Sequence, residues 1–173
     1  MGCSQKNNVN PDIIVIPTGL WVHPKSPELG CSPDGLVYDP SMEQNVYGLL
    51  EIKCPLLLKD HDVCDFKMVL TPTQQNTFCL ESEGTVIRLK KSHAYFYQVQ
   101  MQMAIMNLKW CDFVVWSAKG LIVLKIEFEP EFWDEIQPKL INFQHSQICP
   151  EFFEMRICRN LPPLLNQNDD IVF

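Results

Sequence analysis

No apolar run in the sequence approaches the roughly 20 residues that carry a helix across a bilayer. The first residues also lack the charged, then apolar, then small-residue order of a secretory signal. Met1-Gly2-Cys3-Ser4 opens like an acylated terminus, but Lys6 stands where that pattern needs Ser or Thr. The chain is therefore expected to be soluble and intracellular, nuclear or cytoplasmic, with no membrane partner. Seven glycines and 13 prolines in 173 residues are too few for a disordered or low-complexity chain. No two of the eight cysteines lie within four residues of each other, so structural zinc is not expected, and the thiols read as reduced and mostly buried. The sequence has no phosphate-binding Gly-Lys-Ser/Thr loop and no dinucleotide glycine pattern. Gly30-Cys31-Ser32 starts like a hydrolase elbow, but the second glycine, Gly35, falls one position late. Positive charge is also in short supply: 14 Lys and Arg against 21 Asp and Glu leave a formal net charge of -7. That balance argues against a broadly basic surface, yet Arg88, Lys90, Lys91 and His93 lie together, and local field governs binding more than the total.

What is present is apolar residues in abundance, 46% of the chain, enough for one domain with a real core. Residues 13–17 and 20–23 are apolar β-formers broken by Thr18-Gly19 and read as a short hairpin. Residues 36–38 and 46–54 are the next two strands. Within the second, Glu51 and Lys53 share one face while Ile52 is expected to point away into the core. A helix is expected around 62–69, before Thr71-Pro72, and a small hairpin of 78–80 with 85–89 across Ser82-Glu83-Gly84. Residues 93–108 form the clearest helix, with an apolar stripe of Tyr95, Val99, Met103 and Met106 and a polar strip holding Gln98 and Gln102. Two strands, 111–118 and 121–128, flank Lys119-Gly120, the strongest hairpin signal in the chain. Pro130 opens a helix to about residue 147 with acids in its first turns, Pro138 is expected to kink it or mark a junction, and Pro150 begins a last short helix. The expected organisation is one domain over 12–157, with loose termini at 1–11 and 158–173.

Two short motifs carry the chemistry. Ser32-Pro33-Asp34-Gly35 is a turn sequence in its own right. Glu51-Ile52-Lys53 would be unremarkable on a solvated strand, but here the charges sit between Leu49-Leu50 and Cys54-Pro55, where solvated groups are least expected. If the two segments pair, Asp34 comes beside Glu51, and two carboxylates converge with an ammonium, which suits a hard divalent cation and a phosphodiester. Asp60, His61 and Asp62 could in principle bind a metal, but a solvated helix terminus explains them better. Glu127, Glu129 and Glu131 read as a solvated strand edge.

Residues 30–37, 50–55 and 95–100 (Tyr-Phe-Tyr-Gln-Val-Gln), in that order and at those separations, together resemble the YqaJ-like viral recombinase family. That family includes the phage lambda-type exonucleases and falls within the PD-(D/E)XK nuclease superfamily. The resemblance extends over most of 12–157. It implies an α/β, restriction-endonuclease-like core, a central mixed β-sheet flanked by helices. It implies a Mg²⁺- or Mn²⁺-dependent nuclease acting on the ends of double-stranded DNA in recombination or mobile-element processing. The alternative is a catalytically inactive remnant that binds DNA or protein. Asp34 and Glu51 would ligate the metal with the main-chain carbonyl of Ile52. Lys53 would hold and help deprotonate the attacking water, and Gln98 would orient the water or the lysine. Ser32 would touch the phosphate, and Tyr97 is a further candidate contact, although for Tyr95 core packing is the better reading. The positive cluster supplies Arg88, Lys90 and Lys91 as candidate DNA contacts. A homo-oligomer is compatible with the family. Family members carry a further metal-binding glutamate on an upstream helix, whereas residues 1–11 contain no Glu. The resemblance therefore implies either a piece of a longer protein or a domain lacking part of its site.

Overall fold

The computed structural model describes residues 12–162. The expectations for 1–11 and for the tail beyond 162 lie outside them. The chain begins with strands β1 (Ile14–Ile16), β2 (Trp21–Val22), β3 (Gly30–Cys31), β4 (Gly35–Tyr38) and β5 (Tyr47–Lys53). Short helical turns follow at Leu56–Leu58 and Val63–Asp65, then helices α1 (Phe66–Val69) and α2 (Pro72–Thr77). The hairpin β6 (Leu80–Glu83) and β7 (Val86–Leu89) leads to helix α3 (Ala94–Met106). Strands β8 (Trp110–Ser117) and β9 (Gly120–Glu127) come next, then helix α4 (Pro130–Phe143), a π turn Gln144–Ile148 and helix α5 (Cys149–Glu154).

The central sheet has the order β1-β4-β5-β8-β9. Only β5 and β8 run parallel within it, Glu51 beside Phe113 and Lys53 beside Val115, so the sheet is mixed. A parallel pair needs a long crossover, and here the crossover carries α3 over one face. That face is built from Leu49, Cys111, Phe113, Val115, Ile122 and Leu124, all buried against Phe96, Val99 and Met103 of α3 and against Phe66, Phe78 and Leu80. A second cluster joins Leu29 and Cys31 to Ile105 of α3 and to Trp133 and Ile136 of α4. Among the described residues, no helix is long and apolar enough to cross a membrane.

Several expectations change. Residues 13–17 and 20–23 do not pair with each other: β1 joins β4, with Ile14 opposite Tyr38, and β2 joins β3, with Trp21 opposite Cys31. Apolar alternation identifies a strand without naming its partner. Ile52 does not enter the core. It is 40% exposed on the opposite sheet face, together with Val15, Trp116 and Leu121, while Glu51 faces α3. A further helix, α2, starts after Thr71, because Thr71 and Gln74 form a reciprocal capping box and Pro72 is tolerated in the first turn. In the β6–β7 hairpin the turn is Gly84-Thr85, and Gly84 takes a φ of 60° that favours glycine. The β8–β9 hairpin turns at Ala118-Lys119, with Ser117 opposite Gly120. Gly120 is needed there because the Asp62 carboxylate lies against it. Helix α4 passes through Pro138 and becomes irregular only in the π turn beyond residue 143.

Candidate active site

The site forms where β4 stops short of the end of β5. The antiparallel ladder between them closes with Gly35 opposite Leu50. Two places further along that edge the register reaches Pro33, which has no N–H to give to Ile52. The chain turns there, and the Asp34 carboxylate takes the place of a strand partner, accepting from the main-chain N–H of Ile52 at 2.6 Å. Asp34, itself exposed, is thereby fixed at the peptide that joins Glu51 to Ile52. The N–H and C=O of a strand residue share one edge, so the Ile52 carbonyl faces the same side as Asp34.

Glu51 is 4% exposed and lies under α3. Its Oε1 accepts from Lys53 Nζ at 2.5 Å and from Gln98 Nε2 at 2.8 Å, and its Oε2 accepts from Gln102 Nε2 at 3.0 Å. Gln98 Oε1 in turn accepts from Lys53 Nζ at 3.1 Å, closing a triangle of lysine, glutamate and amide. The Lys53 ammonium also sits 4.4 Å from the centroid of the Tyr95 ring. The ring packs 6.0 Å from Phe113 and 4.6 Å from His93. Helix geometry explains the convergence: Gln98 and Gln102 are one turn apart on one face of α3 and reach the two oxygens of a single carboxylate. The negative charge of Glu51 reaches Cys31, whose thiol is pushed up to about 11 by burial first and by Glu51 second. His93 caps α3 through Nδ1, which accepts from Tyr95 N at 3.1 Å. Burial, followed by the charge of Lys90, holds its imidazole below the ordinary range.

Asp34, Glu51, Lys53 and Gln98 are thus brought together, with Ile52 between them. Ser32 is exposed two residues before Asp34. Arg88 pairs with Glu83 at 3.5 Å, while Lys90 donates to the carbonyls of Gln75 and Asn76 at the end of α2. Lys91 makes a two-pronged contact to Glu129 at 2.6 and 2.7 Å. Tyr97 is half-buried, its ring 5.0 Å from Phe132. Each of these three cations therefore has a partner within the fold. The residue that sequence reading left out is Gln102, assigned to a polar strip but buried against Glu51. Its i, i+4 relation to Gln98 was the available signal. Gln100, on another face of the helix, joins α3 to the start of α4 through Glu127 O and Glu129 N, both at 2.8 Å.

The donor set suits Mg²⁺ or Mn²⁺: two carboxylates and a main-chain carbonyl, with the remaining positions left to water and phosphate, the usual way Mg²⁺ is held. Among the described residues no group of three or more His, Cys, Asp or Glu is placed to hold a metal.

A family model described as YqaJ-like viral recombinase domain matches residues 4–109. No curated protein matches the chain. Among solved structures, the alkaline exonuclease LHK-Exo from Laribacter hongkongensis superposes with a TM-score of 0.55 at 25% identity, covering 88% of this chain and 66% of that one. The same enzyme in complex with dAMP gives a TM-score of 0.54 at 25% identity over the same shares of the two chains. The present chain spans 66% of that exonuclease's length.

Proposed function

The chain belongs to the YqaJ-like viral recombinase domain family, and from that premise we propose that it is a Mg²⁺-dependent DNA nuclease, an exonuclease acting on duplex ends in recombination or mobile-element processing. The observation that carries this reading is the closed arrangement of Lys53, Glu51 and Gln98 with Asp34 fixed at the next peptide. An ion pair this buried is weak as a device for stability, but it suits a site that must present an ammonium and a carboxylate in fixed relation. The similarity to an exonuclease that also crystallises with dAMP supports DNA as the substrate.

In this reading Asp34, Glu51 and the Ile52 carbonyl hold Mg²⁺ or Mn²⁺, which when bound acidifies water and neutralises charge on the phosphodiester. Lys53 positions the attacking water and assists its deprotonation. Gln98, bonded to both Lys53 and Glu51, keeps the lysine on line. The water oxygen forms the new bond to phosphorus as the bond to the leaving 3′ oxygen breaks, leaving a 5′-phosphate and a 3′-hydroxyl. Ser32 contacts the phosphate, and Arg88, Lys90, Lys91 and Tyr97 line the approach of DNA.

The test is incubation of the purified chain with linear and closed circular duplex DNA in Mg²⁺ or Mn²⁺. Degradation confined to linear DNA, and abolished by both Lys53→Ala and Glu51→Gln, is expected. DNA retention without cleavage at any metal concentration would instead identify an inactive binding module.

A further inference from the structure

We propose that Gln102 is a positioning residue that sets the direction of the metal-facing oxygen of Glu51, an inference that rests on the nuclease reading. An ionised carboxylate offers about four acceptor positions, two on each oxygen. Of the bonds the structure gives Glu51, two fall on Oε1, from Lys53 and Gln98, and one falls on Oε2, from Gln102. The remaining position is therefore on Oε2, and the group that orients Oε2 is the Gln102 amide.

A packing role alone does not account for this side chain. Gln102 is 2% exposed, and among the described residues its Oε1 is a buried atom with no hydrogen-bond partner. An orphaned acceptor in the interior carries a desolvation cost that Leu or Met of similar volume would avoid. Turning the amide over would not relieve it, since Oε1 would then face Oε2 of Glu51 and the NH₂ would be orphaned instead. The one benefit of an amide here is its donated bond to Glu51. Gln98 acts differently, because it bonds to the lysine as well and shares the oxygen that the lysine already holds.

The test uses the full chain and measures Mn²⁺ binding by the loss of the free-ion paramagnetic resonance signal, beside cleavage of linear duplex DNA. Gln102→Met and Gln102→Leu keep the volume and remove the donor, and Met103→Leu serves as a core control that leaves Glu51 untouched. Supporting partners of metal ligands change affinity by about 10–100-fold. Both Gln102 variants are therefore expected to weaken Mn²⁺ by about tenfold or more and to lower kcat with KM for DNA unchanged. Met103→Leu is expected to leave Mn²⁺ affinity at the wild-type value. Wild-type Mn²⁺ affinity within twofold in both Gln102 variants overturns the inference and leaves the nuclease reading standing. A wild-type chain that binds no Mn²⁺ at millimolar concentration overturns the nuclease reading and this inference with it.

Discussion

Loss of the ammonium from the Glu51–Lys53 pair should destabilise the fold more than loss of the carboxylate charge. The two side chains lie 2.5 Å apart but are buried unequally, Lys53 retaining 19% of its side-chain exposure and Glu51 5%. In Lys53→Met the glutamate stays buried as an anion with only the amides of Gln98 and Gln102 for company. Breaking a buried pair in this way costs about 3–5 kcal/mol, and two surviving amide donors place this case at the low end, about 3 kcal/mol. In Glu51→Gln the shape survives, and Lys53 keeps the Tyr95 ring, the Gln98 oxygen and part of its water. That loss should be about 1 kcal/mol, the ordinary worth of a hydrogen bond. With both charges gone neither penalty applies in full, so the double variant should be about 2 kcal/mol better than additivity predicts. Urea unfolding of the four proteins in excess chelator measures each value. Equal losses in the two single variants, or additivity within about 0.5 kcal/mol, would refute the claim that an uncompensated buried carboxylate dominates the energetics.

Acid should weaken the start of α3. The folded-state value of His93 is held below the ordinary 6.5 by burial first and the charge of Lys90 second, so its stabilisation is full above the unfolded value and is lost as pH falls through the folded one. Stability should decline below about pH 6.5, and His93→Asn, a cap without a titrating ring, should remove that part of the decline in pH-dependent unfolding. Thiol labelling in the folded state should be fast at the exposed Cys54 and Cys158 and slow at Cys31 and Cys79, both pushed up to about 11 chiefly by burial, and at Cys111, raised well above its ordinary value by burial. Mass mapping of the modified peptides decides this, and rapid labelling of Cys111 in the folded chain would contradict it. In Gly48→Ala a new β-carbon would overlap the Trp110 indole, whose Nε1 is tied to the Asn45 carbonyl at 2.7 Å. A loss of about 1–3 kcal/mol with a changed indole fluorescence is expected.

The parts of the fold that were legible in the sequence were those governed by local periodicity. The β5 strand, the α3 helix and the β8–β9 pair all lie near their expected places, because alternation and capping act over a few residues. Partnership was not legible. Nothing in 13–23 says that β1 would join β4 and β2 would join β3, since ladder choice is settled by contacts distant in sequence. The same limit governs the two faces of β5. Ile52 looked like the residue to bury, and the structure reverses that, because the face that goes under α3 is the one Glu51 shares with Leu49 and Phe113. Three donors from Lys53, Gln98 and Gln102 make burying a carboxylate tolerable, and two of them come from about 50 residues further along the chain.

On the proposed reading, the turn before β4 contributes chemistry as well as a change of direction. A residue with an N–H at position 33, continued in register, would donate to the Ile52 carbonyl and extend the ladder by a step. Proline cannot, and the following carboxylate takes up the N–H of Ile52 while leaving its carbonyl without a donor from that strand. One dipeptide thus ends a strand, fixes an acid beside the buried glutamate and, on the proposed reading, leaves an oxygen at the sheet edge for a cation. A turn-forming sequence and a ligand-bearing one are indistinguishable as strings of residues. They differ here because the register carries Pro33 to the one place on the edge of β5 where a missing N–H matters.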